Sequence, residues 1–175
     1  MSRTVRCLLL MTALLILAGC GVKGKVKQMV GLGAPEPTGY TGTVYPATQT
    51  VTVAFQLTQV DRSCRVFAES LVQFPANSSG KDLETAVLTE AKARGANQVL
   101  LGQARQGKDD NGQRFLYYGP IYEYLCTDQC GGWKFGFEFW EQQGEWVSVG
   151  YKEWGKPGAV FEMPLVMQML MLRCQ

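Results

Sequence analysis

Six cysteines and no histidine in 175 residues set the terms on which this chain can fold. Without imidazole there is no Ser-His-Asp or Cys-His catalysis, no His-ligated zinc, iron or copper, and no imidazole pH switch. Two of the cysteines belong to the N-terminus. Arg3 and Arg6 precede an apolar run from Cys7 to Leu17, and Leu17-Ala18-Gly19-Cys20 closes it with small residues. A helix of about 11 residues rises only ~17 Å, short of the ~30 Å hydrocarbon core, so residues 1–19 read as an export signal and not as a lasting span. Export to an oxidising compartment would turn the other four, Cys64, Cys126, Cys130 and Cys174, into a disulfide framework.

Four cysteines allow three connectivities. Pairing Cys64 with Cys174, which lies one residue from the C-terminus, would tie the last segment to the rest of the domain. Closing that loop of about 110 residues is worth roughly 4–5 kcal/mol in the loop-entropy account, against roughly 1–3 kcal/mol for a Cys126–Cys130 loop. The reading leans to these two pairs and leaves the alternatives open. A four-thiolate zinc site suits the spacing poorly, a redox pair would prefer Cys-x-x-Cys, and haem attachment lacks its His.

The Leu17-Ala18-Gly19-Cys20 segment resembles the lipobox of bacterial lipoproteins. The resemblance implies cleavage before Cys20, a diacylglycerol thioether on its sulfur and acylation of its new amino group. Two or three acyl chains would anchor the protein stably in a membrane. Gly21 is not Asp, which by resemblance to enterobacterial sorting points to the outer membrane, facing the periplasm. Gly19-Cys20-Gly21-Val22-Lys23-Gly24 matches G-x-G-x-x-G, but it straddles the expected cleavage site and follows no strand, so it carries no nucleotide-binding argument.

Loss of Arg3 and Arg6 leaves 15 basic residues against 15 acidic ones, a balance with no electrostatic footprint for nucleic acid. Lys23, Lys25 and Lys27 follow the expected lipid site, and the stretch from Gly31 to Thr43 is rich in Gly and Pro, so residues 20–44 read as a lipidated flexible tether. Residues 45–175 remain as a single domain.

The expected fold class is α+β: a small mixed or antiparallel sheet with one main helix, stapled by disulfides. Thr50 to Gln59 alternates apolar and polar residues and reads as a half-buried strand, and Arg65 to Phe74, ending at Pro75, reads as a second. Ser79 and Asp82 make a capping pair ahead of Leu83, Ala86, Val87 and Ala91 at helical spacing, with Gly95 placed as an αL cap. Gln98 to Leu101 reads as a short buried strand. The junction Glu90-Ala91-Lys92-Ala93-Arg94-Gly95-Ala96-Asn97-Gln98-Val99, with Tyr45-Pro46-Ala47-Thr48 upstream, resembles small envelope lipoprotein modules, among them the Rcs-pathway outer-membrane stress sensor. That resemblance covers residues 45–105 and implies a shared fold more than a shared function; a stress-sensing role is the alternative it suggests.

Thirteen aromatic residues lie between Phe115 and Trp154. Phe135, Phe137 and Phe139 alternate with Lys134, Gly136 and Glu138 and read as a strand, and Gly144-Glu145-Trp146 opens another. Most of these rings are expected in the core. Tyr118, Trp133, Trp146 and Trp154 are the candidates for an exposed stacking surface, suited to an envelope glycan or a protein partner. Met167, Met169 and Met171 share one face of a tail strand, where thioethers could meet Cu(I), but core filling is the stronger reading. Ser78-Ser79-Gly80-Lys81 matches S-x-x-K without its companion motifs, and Glu123 with Glu138 or Glu141 could form a glycosidase pair only at the right separation. The expectation is therefore a membrane-anchored, non-catalytic binding or assembly module of the cell envelope, with no cofactor and no catalytic or metal residues.

Overall fold

The clearest local signals surround the main helix, and a computed structural model describing residues 39–127 and 130–175 shows what they build. The expected signal peptide, lipid site at Cys20 and most of the tether lie outside the described residues. Along the chain the elements are β1 (Thr52–Ala54), a 3-10 turn (Leu57–Gln59), β2 (Arg65–Phe74), β3 (Ser78–Ser79), α1 (Gly80–Arg94), β4 (Gln98–Gln106), β5 (Arg114–Gly119), β6 (Tyr124–Leu125), α2 (Phe137–Glu141), β7 (Trp146–Val147), β8 (Val160–Phe161) and β9 (Leu165–Arg173).

Helix α1 is held at both ends as its sequence requires. The Asp82 amide donates to Ser79 Oγ at 3.2 Å and the Ser79 amide donates to Asp82 Oδ2 at 2.8 Å, a reciprocal capping box. The Ser79 hydroxyl, which also donates to Asp82 Oδ2 at 2.6 Å, and then the Ser79 amide hold the Asp82 carboxyl below its usual range. At the other end Gly95 adopts φ +80°, and its N–H reaches the Ala91 and Lys92 carbonyls.

The sheet runs β1-β4-β9-β2-β5, with β1 parallel to β4 and the remaining neighbours in that order antiparallel. Strands β2 and β4 therefore point the same way, α1 connects them, and β9 from the far C-terminus inserts between them. A central strand is covered on both faces, which is why β9 reads as a nearly unbroken apolar run. Met167, Met169 and Met171 are fully buried against α1, with Phe67, Leu83, Val87 and Ala91. The core reading of the methionine row holds. On the opposite face, Val166, Leu170 and Leu172 meet a second layer built from Tyr124, Trp133, Phe135 and Trp140. The fold class is α+β, a mixed sheet with one main helix.

Both disulfides are formed, Cys64–Cys174 and Cys126–Cys130. Cys64 precedes β2 and Cys174 follows β9, so the first bond locks the inserted strand to its neighbour. The Cys126 amide donates to the Cys64 carbonyl at 2.7 Å, placing the second bond beside the first. All four thiols are spent, which leaves none for a zinc site.

Three local readings need correction. The first strand stops at Ala54 because Gln59 Oε1 accepts from the Phe55 and Gln56 amides and bends the chain into a 3-10 turn. Residues 137–141 are helical, not extended: Gly136 takes φ +60°, and Phe139, Trp140 and Gln143 then fall on one inward face while Phe137, Glu138 and Glu141 face solvent. Alternation of phenylalanines masked that helical spacing. Strand β4 also runs on past Leu101 to Gln106, with a bulge between Leu101 and Ala104. Gly102 lies in that bulge because the Trp133 indole occupies the space; a Cβ there would lie 2.6 Å from the ring.

Candidate functional site

The bulge in β4 has a second effect. It turns Arg105 onto the face away from α1, at the end of the sheet farthest from Cys64 and Cys174. Arg105 Nε donates to the Gly144 carbonyl at 2.8 Å, Nη1 donates to the Trp140 carbonyl at 3.1 Å, and Nη1 lies 3.6 Å from Glu141 Oε1. The guanidinium sits 4.9 Å from the Trp146 ring centroid and 5.8 Å from that of Trp140. Trp140 is buried and meets Trp146 edge-on at 5.8 Å.

Trp146 itself is 60% exposed. Its backbone is fixed by pairing of β7 with β4, where Arg105 faces Trp146, and by reciprocal bonds from Gly144 N to Gln106 O and from Gln106 N to Glu145 O, both 2.8 Å. Buried Gln143 braces the preceding loop, donating to the Phe139 carbonyl and accepting from the Lys108 amide. The result is an outward-facing indole backed by a largely buried cation. Holding such a ring rigid in advance lowers the ordering cost when it meets a ligand. Exposed Glu141, 3.6 Å from the Arg105 guanidinium, and exposed Glu145, the residue before Trp146, add two carboxylates beside it.

On the helix side of the sheet, away from the indole, Gln106, Val147, Phe161, Met163 and Leu165 line an open cleft of about 240 Å³. A second groove, about 280 Å³, runs between α1 and β5 past Thr85, Glu90 and Phe115. Both are smaller than the ~300–1,000 Å³ that encloses a whole small-molecule ligand.

The four sequence candidates are not gathered into one surface. Trp133 is half-buried in the Gly102 slot, edge-on to Phe135 at 5.9 Å. Tyr118 is half-buried against Phe135 and Gly136, and its hydroxyl is buried without a hydrogen-bond partner among the described residues, which raises its pKa by desolvation. Trp154 packs into the helix-side core, edge-on to Phe55 at 5.8 Å. Of the four, Trp146 alone is presented to solvent.

The other chemical candidates are engaged elsewhere. Ser78 is buried and its hydroxyl donates to the Pro75 carbonyl, while Lys81 pairs with Glu84 at 2.6 Å. Glu123 accepts from the Tyr45 hydroxyl at 2.7 Å, near the Arg65 end of β2, whereas Glu141 lies by Arg105 at the other end. Glu69 is a half-buried carboxylate the sequence left unmarked: desolvation raises its pKa, partly offset by the hydroxyl of Tyr124, which donates at 2.8 Å. Arg105 was missed as well. Its signal was a lone cation closing an apolar strand, a pattern shared by many surface residues.

No protein-family model, curated protein or solved structure matches the chain.

Proposed function

We propose that this is a membrane-anchored lipoprotein of the bacterial envelope, held through Cys20 in the outer membrane with its domain in the periplasm, and that it acts as a non-catalytic binding module. The observation that carries the binding role is Trp146, 60% exposed yet pinned between β4 and the Arg105 guanidinium. An indole face stacks on the C–H face of a sugar ring, and the surrounding carboxylates accept from its hydroxyls. The anchor rests on the Leu17-Ala18-Gly19-Cys20 segment, and the paired cysteines are consistent with an oxidising compartment.

The test uses the full chain extracted from membranes. Its intact mass should begin at Cys20 and carry acyl chains. Sedimentation with purified peptidoglycan should retain it, and Trp146→Ala should weaken retention about tenfold, the usual size for an aromatic anchor. Trp154→Ala, which alters the other side of the sheet, should leave retention within twofold. Equal retention of Trp146→Ala and the parent chain would remove the platform from the proposal.

A further inference from the structure

The opposite end of the sheet carries a second exposed surface of different chemistry. Between β5 and β6 the chain makes a loop whose tip exposes Ile121 by 90% and Tyr122 by 84%. Val44 and Leu125 add apolar area, at 58% and 44% exposed. The loop is tied to the incoming chain: the Tyr45 hydroxyl donates to both oxygens of Glu123 at 2.7 Å, and the Tyr45 ring packs edge-on against Phe67. Arg173 sits 5.5 Å from the Tyr45 ring, and Arg94 lies 4.6 Å from the ring of Tyr40. Arg65 faces Leu125 on one side and Arg173 on the other.

Of the acidic groups described at this end, Asp61 is exposed next to the equally exposed Arg62, and three others are engaged. Glu123 accepts from Tyr45, Glu90 accepts from Tyr117 and pairs with Arg94, and Glu69 accepts from Tyr124. What the end presents outward is the Ile121 and Tyr122 tips with exposed Arg65, flanked by half-buried Arg173, whose Nη1 also donates to the Gly95 carbonyl at 2.8 Å. Tyrosine rings favour the boundary between water and hydrocarbon, and arginines there meet anionic headgroups.

The place of this surface in the chain decides what covers it. Only 24 residues separate Cys20 from Tyr45, where the chain enters the domain directly beside the loop. With Cys20 in a bilayer, the chain running from the anchor enters the domain at this end.

We propose that the Ile121-Tyr122 loop, with Val44, Leu125, Arg65 and Arg173, docks on the anionic lipid surface of the membrane that holds the anchor. The proposal rests on the anchored-lipoprotein reading. Docking fixes orientation: the loop faces the lipid, and the Trp146 platform faces away.

Photo-crosslinking from the loop tests this in the full chain. With p-benzoylphenylalanine in place of Tyr122, the chain is reconstituted in vesicles of phosphatidylethanolamine and phosphatidylglycerol at 3:1 and illuminated. The same probe in place of exposed Asp109, at the far end of the sheet, is the reference. The expected result is at least fivefold more phospholipid adduct from position 122 than from 109, falling at least threefold with Ile121→Asp or in phosphatidylcholine vesicles. Equal adduct from the two positions, or an adduct to protein instead of lipid, overturns the proposal. Intact mass read on the same sample separates the two ideas: an unacylated Cys20 sinks the anchor, while the adduct ratio, measured with the same vesicles added to that chain, still decides the loop.

Discussion

At the scale of single residues, two positions test how tightly local chemistry is set. Gly80 starts α1 where a Cβ would fall 1.8 Å from the Glu153 carbonyl oxygen, backbone that has no side-chain freedom with which to yield. Gly80→Ala should cost about 3 kcal/mol or more in urea unfolding, whereas Gly158→Ala, with nothing within 4 Å of its Cβ, should stay within about 0.5 kcal/mol. Glu69 tests burial. Its carboxyl titrates above its ordinary value of 4.5, chiefly by desolvation, so the folded state holds that proton more tightly than the unfolded chain. The associated stability is fully present below 4.5 and is lost as pH rises through the raised value. Glu69→Gln should remove that pH-dependent loss, so its stability relative to the parent should climb across this window and then level off. Denaturant midpoints measured at several pH values check it; a constant difference would mean that Glu69 titrates as if exposed.

At the scale of elements, the inserted strand β9 is the piece most in need of a lock. It is the last strand of the chain, it lies in the middle of the sheet, and all its neighbours come from earlier in the sequence. The Cys64–Cys174 bond spans a sequence separation of 110, and the Cys126–Cys130 bond spans 4. By loop entropy the first contributes about 5 kcal/mol and the second about 2 kcal/mol. The double variant Cys64→Ser/Cys174→Ser should accordingly lose more than twice the stability lost by Cys126→Ser/Cys130→Ser, read from unfolding midpoints with matched slopes. The aromatic helix α2 shows why this scale resists reading from one strand of text. Phe135, Phe137 and Phe139 satisfy a period of two, while Gly136, Phe139, Trp140 and Gln143 satisfy a helical one, and only packing against Leu71 and Val166 selects between them.

At the scale of the whole molecule, the two exposed surfaces sit at opposite ends of the strands. Trp146 aligns through Arg105 and Val166 with Gln73 on β2, and the loop adjoins Arg65, eight residues earlier on the same strand and about 26 Å away. Sites this far apart and without shared partners act independently. Trp146→Ala should leave lipid adducts from position 122 unchanged, and Ile121→Asp should leave peptidoglycan retention within twofold. Coupled losses would show that one surface is an extension of the other.

Much of this architecture was legible in the chain. The capping pair Ser79 and Asp82, the αL glycine Gly95, the strand Arg65–Phe74 and the buried methionine row all follow from local stereochemistry and periodicity, which act between residues a few positions apart. The even cysteine count implied two disulfides and the reading leaned to these pairs, but the connectivity stayed open until the ends of β2 and β9 were seen side by side. Tertiary structure decided the rest, above all which aromatic rings meet water. Trp133 and Trp146 look alike in sequence, yet one fills the space that Gly102 leaves and the other stands on Arg105. Exposure depends on what packs over a side chain, and those neighbours lie far away along the chain, so no local pattern encodes it.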